Sequence, residues 1–168
     1  MESDSSKHIN TEMDFTHITT GIKKYIGLWE QKLTELTEEI ISTRRNRQNR
    51  TIKQILGHLV DSAANNHQRI VRLQYNTELV FPDYQQDNDL WIALQDYQHA
   101  DWKTTVQLWK YYNLHIIQVI KSVDQTKLDH SWKNFEGNTV TLREMIDGYL
   151  DHIELHLNEI QELIDRKE

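Results

Sequence analysis

A chain of 168 residues suits one domain with a sizeable core, and the absence of cysteine excludes thiolate nucleophiles, zinc ribbons and disulfide scaffolds, leaving His, Asp and Glu as metal ligands. A net charge of −7 opposes the attraction to phosphate backbones that supplies most nucleic-acid affinity, so no nucleic-acid partner is expected. Five Gly and one Pro, with few alternating β-branched runs, leave little turn chemistry for a sheet and predict an all-helical fold.

Residues 1–15 are polar and aperiodic and read as a mobile N-terminal arm, with a single domain over 16–168. The first residues lack the regions of a secretory signal, and no apolar run reaches membrane-spanning length. The expectation is a soluble cytoplasmic protein with no membrane partner.

Ile18, Ile22, Tyr25, Ile26, Trp29, Leu33, Leu36 and Ile40 recur at three- and four-residue steps, which predicts one amphipathic helix. It ends in the basic stretch RRNRQNR, 44–50, read as a solvated connection because no aromatic residues interleave for base stacking; phosphate binding is the other option. Thr51 and Gln54 then form a capping box that opens a second helix, with Ile52, Leu56, Leu59, Ala63, Ile70 and Leu73 as its apolar stripe. The connection over 75–97 is long for a bundle, and DNDLWIAL within it reads as a short helix of its own. A third helix is expected over 98–123. A loop follows, and Thr141 with Glu144 opens the fourth helix, whose Leu142, Met145, Ile146, Tyr149, Ile153, Leu157 and Ile160 keep helical period. Four long helices predict an all-α four-helix bundle, with the long connection between helices two and three free to cross over the bundle end.

Nine histidines in 168 residues yield roughly 0.4 pairs four apart by chance, so the two in DHIELHL are not diagnostic by spacing alone. Their placement says more. His152 and His156 fall about 40° apart on a helical face shared with Met145, Tyr149 and Leu163, so both point inward, where two imidazoles can close on one ion. His58 is the candidate third ligand, on a helix edge that also carries Asp61, Ser62, Asn65 and Arg69. Burying such an edge is costly unless the groups pair with each other, with a ligand or with a metal; a satisfied core histidine is the competing reading of His58. His67 lies about 180° from His58 and should face solvent or another neighbour. His115 either packs or lines a pocket, while His8, His17, His99 and His130 sit near ends or loops where exposure is expected. Gly148, one turn before His152, is either a tolerated helix glycine or a gap left for solvent or substrate.

The segments TIKQILGHLVDSAANNHQRIVRLQ and TLREMIDGYLDHIELHLNEI, with FPDYQQDNDLW between them, resemble the DinB-like family of four-helix metal proteins, in particular its YfiT-type members, over about residues 18–165. The resemblance implies that His58, His152 and His156 bind Zn2+ or Ni2+, and that the protein is a metal-dependent hydrolase or a transferase using a low-molecular-weight thiol of the bacillithiol type. Glu154 and Glu159 stand where many relatives carry further His or Gln.

Three neutral imidazoles leave a divalent ion an open position, where water or a thiol can be activated against a small-molecule substrate. The residues do not choose between the two. Asp61 is the candidate catalytic residue, orienting His58 or moving a proton, against the alternative of an ion pair with Arg69 or Arg72. Asn65 and Arg69 are candidate substrate contacts. The rival expectation is a non-catalytic helical interaction or stress-response module, as a homodimer, whose metal merely pins two helices.

Overall fold

The computed structural model describes residues 14–166, so most of the expected arm, with His8, lies outside the described residues. Phe15, the last residue of that stretch, is buried in the core.

The first apolar stripe is carried by two helices rather than one. α1 (Thr16–Thr34) stops, and α2 (Glu38–Thr43) restarts after Thr37, whose hydroxyl accepts from the Ile40 backbone N–H while Glu38 and Glu39 sit at the positive end of the new helix. Leu36 and Ile40 continue the three-to-four spacing across the break, which hides it from periodicity alone. α3 (Ile52–Leu73) opens on the expected capping box: Thr51 accepts from the Gln54 N–H and the Gln54 side chain accepts from the Thr51 N–H. α4 (Asn88–Leu94) is the short helix expected in the long connection, and α5 (Trp102–Lys121) starts at Asp101, whose carboxylate accepts from the Thr104 N–H. α6 (Leu142–Asp165) opens on the Thr141–Glu144 capping box.

Contacts at the helix ends fix the directions. Trp102 Nε1, starting α5, donates to the Leu33 carbonyl near the end of α1 at 2.7 Å, so these two helices run antiparallel. Thr51 before α3 bonds Gln98 before α5, and the Asp124 N–H after α5 donates to Gln74 after α3; α3 and α5 are therefore parallel. Arg44, just before α3, donates to the Leu163 and Ile164 carbonyls near the end of α6, so α6 opposes α3. α1 and α3 each pack on both α5 and α6. The ring order is α1, α5, α3, α6, and the parallel neighbours α3 and α5 require the 74–101 connection to travel the bundle's length, as expected of the crossover.

Two features depart from what the sequence predicts: a small sheet, and a basic stretch that is partly buried. β1 (Glu78–Val80) pairs parallel with β2 (Ser131–Lys133), which pairs antiparallel with β3 (Thr139–Thr141). The β2–β3 turn closes with the Gly137 N–H donating to the Asn134 carbonyl, at a Gly137 φ of 82° that glycine adopts without strain. Three-residue strands are too short to show an alternating pattern, and β1 meets β2 across fifty residues of chain. The basic stretch is also not wholly solvated: Arg44 holds the end of α6, and buried Arg50 pairs with Asp89 of α4 at 2.7 Å, while Arg45 and Arg47 stay exposed. Among the described residues no helix is long and apolar enough to cross a membrane.

α3 is the central element, covered by α5 and α6 and also by α2, α4, β1 and β2. Its polar edge therefore lies inside: His58, Asp61, Ser62 and Asn65 are all buried.

Candidate metal centre

The two capping boxes set the starts, and hence the side-chain phases, of α3 and α6, the helices that carry the candidate ligands. His58 projects from α3, and His152 and His156 from successive turns of α6. Their ligating atoms come within 4.8 Å of one another. Nε2 of His58 and Nε2 of His156 are 3.1 Å apart, and the three rings meet edge to face with centroids separated by 4.6 to 5.4 Å. Two ligands at Zn–N distances of 2.0–2.1 Å in a tetrahedral shell stand about 3.3 Å apart, so the closest pair is spaced as an ion needs.

The outer nitrogens have partners that turn the rings. Nδ1 of His156 donates to Glu159 Oε2 at 3.0 Å, which leaves its Nε2 lone pair free. Gln86 Nε2 sits 3.3 Å from Nδ1 of His58 and donates to it, which seats the ring; the tautomer a metal needs at Nε2 requires that amide to turn its oxygen toward Nδ1. Nδ1 of His152 is buried with no hydrogen-bond partner among the described residues. Burial, reinforced by the neighbouring imidazoles, lowers the pKa of His58 to about 3; burial and His156 lower that of His152 to about 4, against a small opposing pull from Glu159. Both are neutral at physiological pH, the form a metal requires. An all-nitrogen donor set, one orphaned buried nitrogen and two oriented outer nitrogens fit a divalent ion of the Zn2+ or Ni2+ kind.

The remaining candidates are placed differently. Asp61 reaches neither His58 nor Arg69 nor Arg72: its Oδ1 accepts from the Tyr97 hydroxyl and from Gln95 Nε2, both at 2.7 Å, and its buried Oδ2 has no partner. Burial raises its pKa while those two donors oppose the shift. The Tyr97 ring reaches Asp61 by lying flat on Gly57, where an added Cβ would stand 2.2 Å from Cγ of the ring. Asn65 donates to the Tyr84 carbonyl at 2.8 Å, and Arg69 donates to the same oxygen, so both fasten the crossover segment. Arg69 nonetheless keeps an open side. With Trp132, Gly148, Tyr149 and His152 it lines a pocket of about 250 Å³ between α3 and α6.

His67 faces α5 rather than the cluster: its ring meets His115 at 4.8 Å and its Nδ1 lies 3.2 Å from the Tyr112 hydroxyl. His115 is exposed beside it and does not line that pocket. His17 and His99 are exposed, whereas half-buried His130 packs its Nδ1 against the Leu73 carbonyl. Gln86, Tyr97, Gly57 and Trp132 were not singled out by sequence reasoning. Three of them lie in the crossover or the sheet, where no period marks them, and Gly57 looks like any helix glycine.

A family model described as the DinB superfamily matches residues 27–160. No curated protein is similar enough to match. Among solved structures, YfiT from Bacillus subtilis, described as "a probable metal-dependent hydrolase with an unusual four-helix bundle topology", superposes with a TM-score of 0.79 at 19% identity, over 96% of this chain and 91% of that one. A mycothiol-dependent maleylpyruvate isomerase superposes with a TM-score of 0.69 at 11% identity, over 88% of this chain and 61% of that one. At these identities the likeness is one of fold.

Proposed function

Because this chain belongs to the DinB superfamily, we propose that it is a metal-dependent enzyme in which His58, His152 and His156 hold one divalent ion, Zn2+ or Ni2+, and turn a nucleophile on a small-molecule substrate. The carrying observation is the convergence on one point of three imidazoles from two helices, His58 and His156 buried and His152 half-buried, with burial holding His58 and His152 in the neutral form. A divalent ion with an open position lowers the pKa of a water or thiol bound to it and stabilises negative charge developing on a substrate oxygen. The reaction class is hydrolysis or thiol S-transfer; the description of one superposed protein as a probable metal-dependent hydrolase supports the first, and that of the other as a mycothiol-dependent isomerase supports a thiol as co-substrate.

The chain's own residues contribute orientation and access. Glu159 and Gln86 fix the ring planes of His156 and His58 through their outer nitrogens. The pocket beside His152 gives a substrate its approach. Asp61 acts as a positioning residue: through Tyr97 and Gln95 it anchors the segment that follows α4, and with it the crossover that delivers Gln86. Asn65 and Arg69 hold the same crossover at Tyr84.

The test is metal content of protein purified without an affinity tag, followed by a screen of thiol-dependent transfer to electrophiles beside ester and amide hydrolysis. His58→Ala, His152→Ala and His156→Ala should each lower metal occupancy, and His67→Ala should not. Equal retention by all four variants refutes the ligand assignment. A second reading, a non-catalytic bundle pinned by its ion, is favoured by the way the cluster ties α3 to α6 across the core. Removing the ion separates the two: a structural site loses folding stability, a catalytic one loses turnover while helicity is kept.

A further inference from the structure

Arg69 presents an imbalance that the histidine site does not explain. Its guanidinium is largely buried under the Trp132 indole, with Cζ 4.1 Å from the ring centroid, yet among the described residues no carboxylate pairs with it. Among the described residues its only hydrogen-bond acceptor is the Tyr84 carbonyl, and its Nε is buried with no partner. Burial alone lowers its pKa, to about 10. A desolvated cation without a counterion is costly, and one lining a pocket invites the counterion from outside.

We propose that the pocket beside His152 takes a small monocarboxylate, whose charged end pairs with Arg69 and whose body lies along the side of α6 that Gly148 leaves open. The size and charge of the site define the class. The cavity holds about 250 Å³, and a Cβ added at Gly148 would meet nothing within 4 Å, so the space is real and unshared. Among the described residues Arg69 is the one cation lining it, which suits a single negative charge better than a phosphate dianion. Glu144, the other charged residue on the wall, is committed to the start of α6, accepting from the Thr141 N–H at 2.8 Å and from its hydroxyl at 2.9 Å. Trp132 and Tyr149 supply an aromatic wall for an apolar body. His152 belongs to the same lining, so a molecule anchored on Arg69 extends toward the three imidazoles; its relevance to turnover rests on reading those as the reactive centre.

Phenylacetate, and its uncharged isostere phenylacetamide, are titrated into the full chain by calorimetry, with metal loaded and with metal stripped. Phenylacetate should bind at least about tenfold tighter than the amide in both states, since a charge-assisted pair is lost with the amide. Arg69→Met should weaken phenylacetate at least about tenfold. Because Arg69 also holds Tyr84, Gly148→Leu serves as the independent variant: it fills the open space without touching the guanidinium, and should reduce binding as much while leaving the thermal midpoint in place. Equal binding of acid and amide, no binding of either at about 20 mM, or undiminished binding by folded Gly148→Leu each overturns the proposal. Acid binding that needs the metal and ignores Arg69 is ligation at the histidines; it overturns this proposal and leaves the metal reading intact. Arg69-dependent binding in a protein that takes up no metal does the reverse.

Discussion

Gly57→Ala sets two effects of known size against each other. Gly57 lies in the first half of α3, where helix propensity alone favours alanine by about 1 kcal/mol. Packing opposes it. The new Cβ would stand 2.2, 2.3 and 2.7 Å from Cγ, Cδ2 and Cδ1 of Tyr97, so the ring must retreat by about 1.3 to 1.8 Å to reach ordinary carbon contact at 3.5–4.0 Å. Tyr97 is 7% exposed, leaving it little room, and overpacking of this kind costs about 1–3 kcal/mol. The retreat also breaks the 2.7 Å bond from the Tyr97 hydroxyl to Asp61, whose other oxygen is already buried without a partner. Losing a hydrogen bond to a charged group adds about 1.5–3 kcal/mol. The sum is a net destabilisation of about 1.5–5 kcal/mol, or about 3 to 20 °C in thermal midpoint for a domain of this size. Urea unfolding followed by far-UV circular dichroism, on metal-free protein at pH 7.5, measures it. In the Tyr97→Ala background the same change should cost nothing or stabilise, which isolates the clash as a coupling energy. A Gly57→Ala protein as stable as the parent would sink the packing argument and with it the anchoring role given to Asp61.

Acidifying the metal-free protein should destabilise it well above the carboxylate range. His58 and His152 protonate in the folded state only near pH 3 and 4, but near 6.5 when unfolded, so the unfolded chain takes up protons first and stability falls as pH drops below 6.5. At pH 5 this amounts to roughly 2 kcal/mol for each imidazole, with Asp61 working in the opposite direction because its pKa is raised. A urea midpoint unchanged between pH 7.5 and 5 contradicts this, and His58→Ala/His152→Ala should flatten the dependence. Glu159→Ala frees Nδ1 of His156 and should weaken metal binding about ten- to a hundredfold by competition titration with a chelator, without altering the far-UV spectrum. Tyr149→Phe removes the 2.8 Å bond to Asn113 Oδ1, leaving a buried acceptor unpaired, and should cost about 1–3 kcal/mol in urea unfolding; a neutral result would mean that another donor reaches Asn113.

The sequence by itself determined what repeats or caps locally. The apolar stripes set the four long helices, Thr51–Gln54 and Thr141–Glu144 mark where two of them start, and four-residue spacing puts His152 and His156 on one inward face. Such signals span one or two turns of helix, so they survive in a linear string. The tertiary structure decided whatever depends on which distant segments meet. It brought Gln86 to His58, laid Tyr97 on Gly57, made α3 and α5 parallel, and paired β1 with β2. It also took Asp61 away from the histidines and left half-buried Arg69 without an acid among the described residues. Those outcomes follow from the crossover, whose path is set by packing against α3 and by hydrogen bonds to its polar edge. No periodicity in residues 74–101 encodes that path, because an irregular segment is held by contacts along its length rather than by its own repeat.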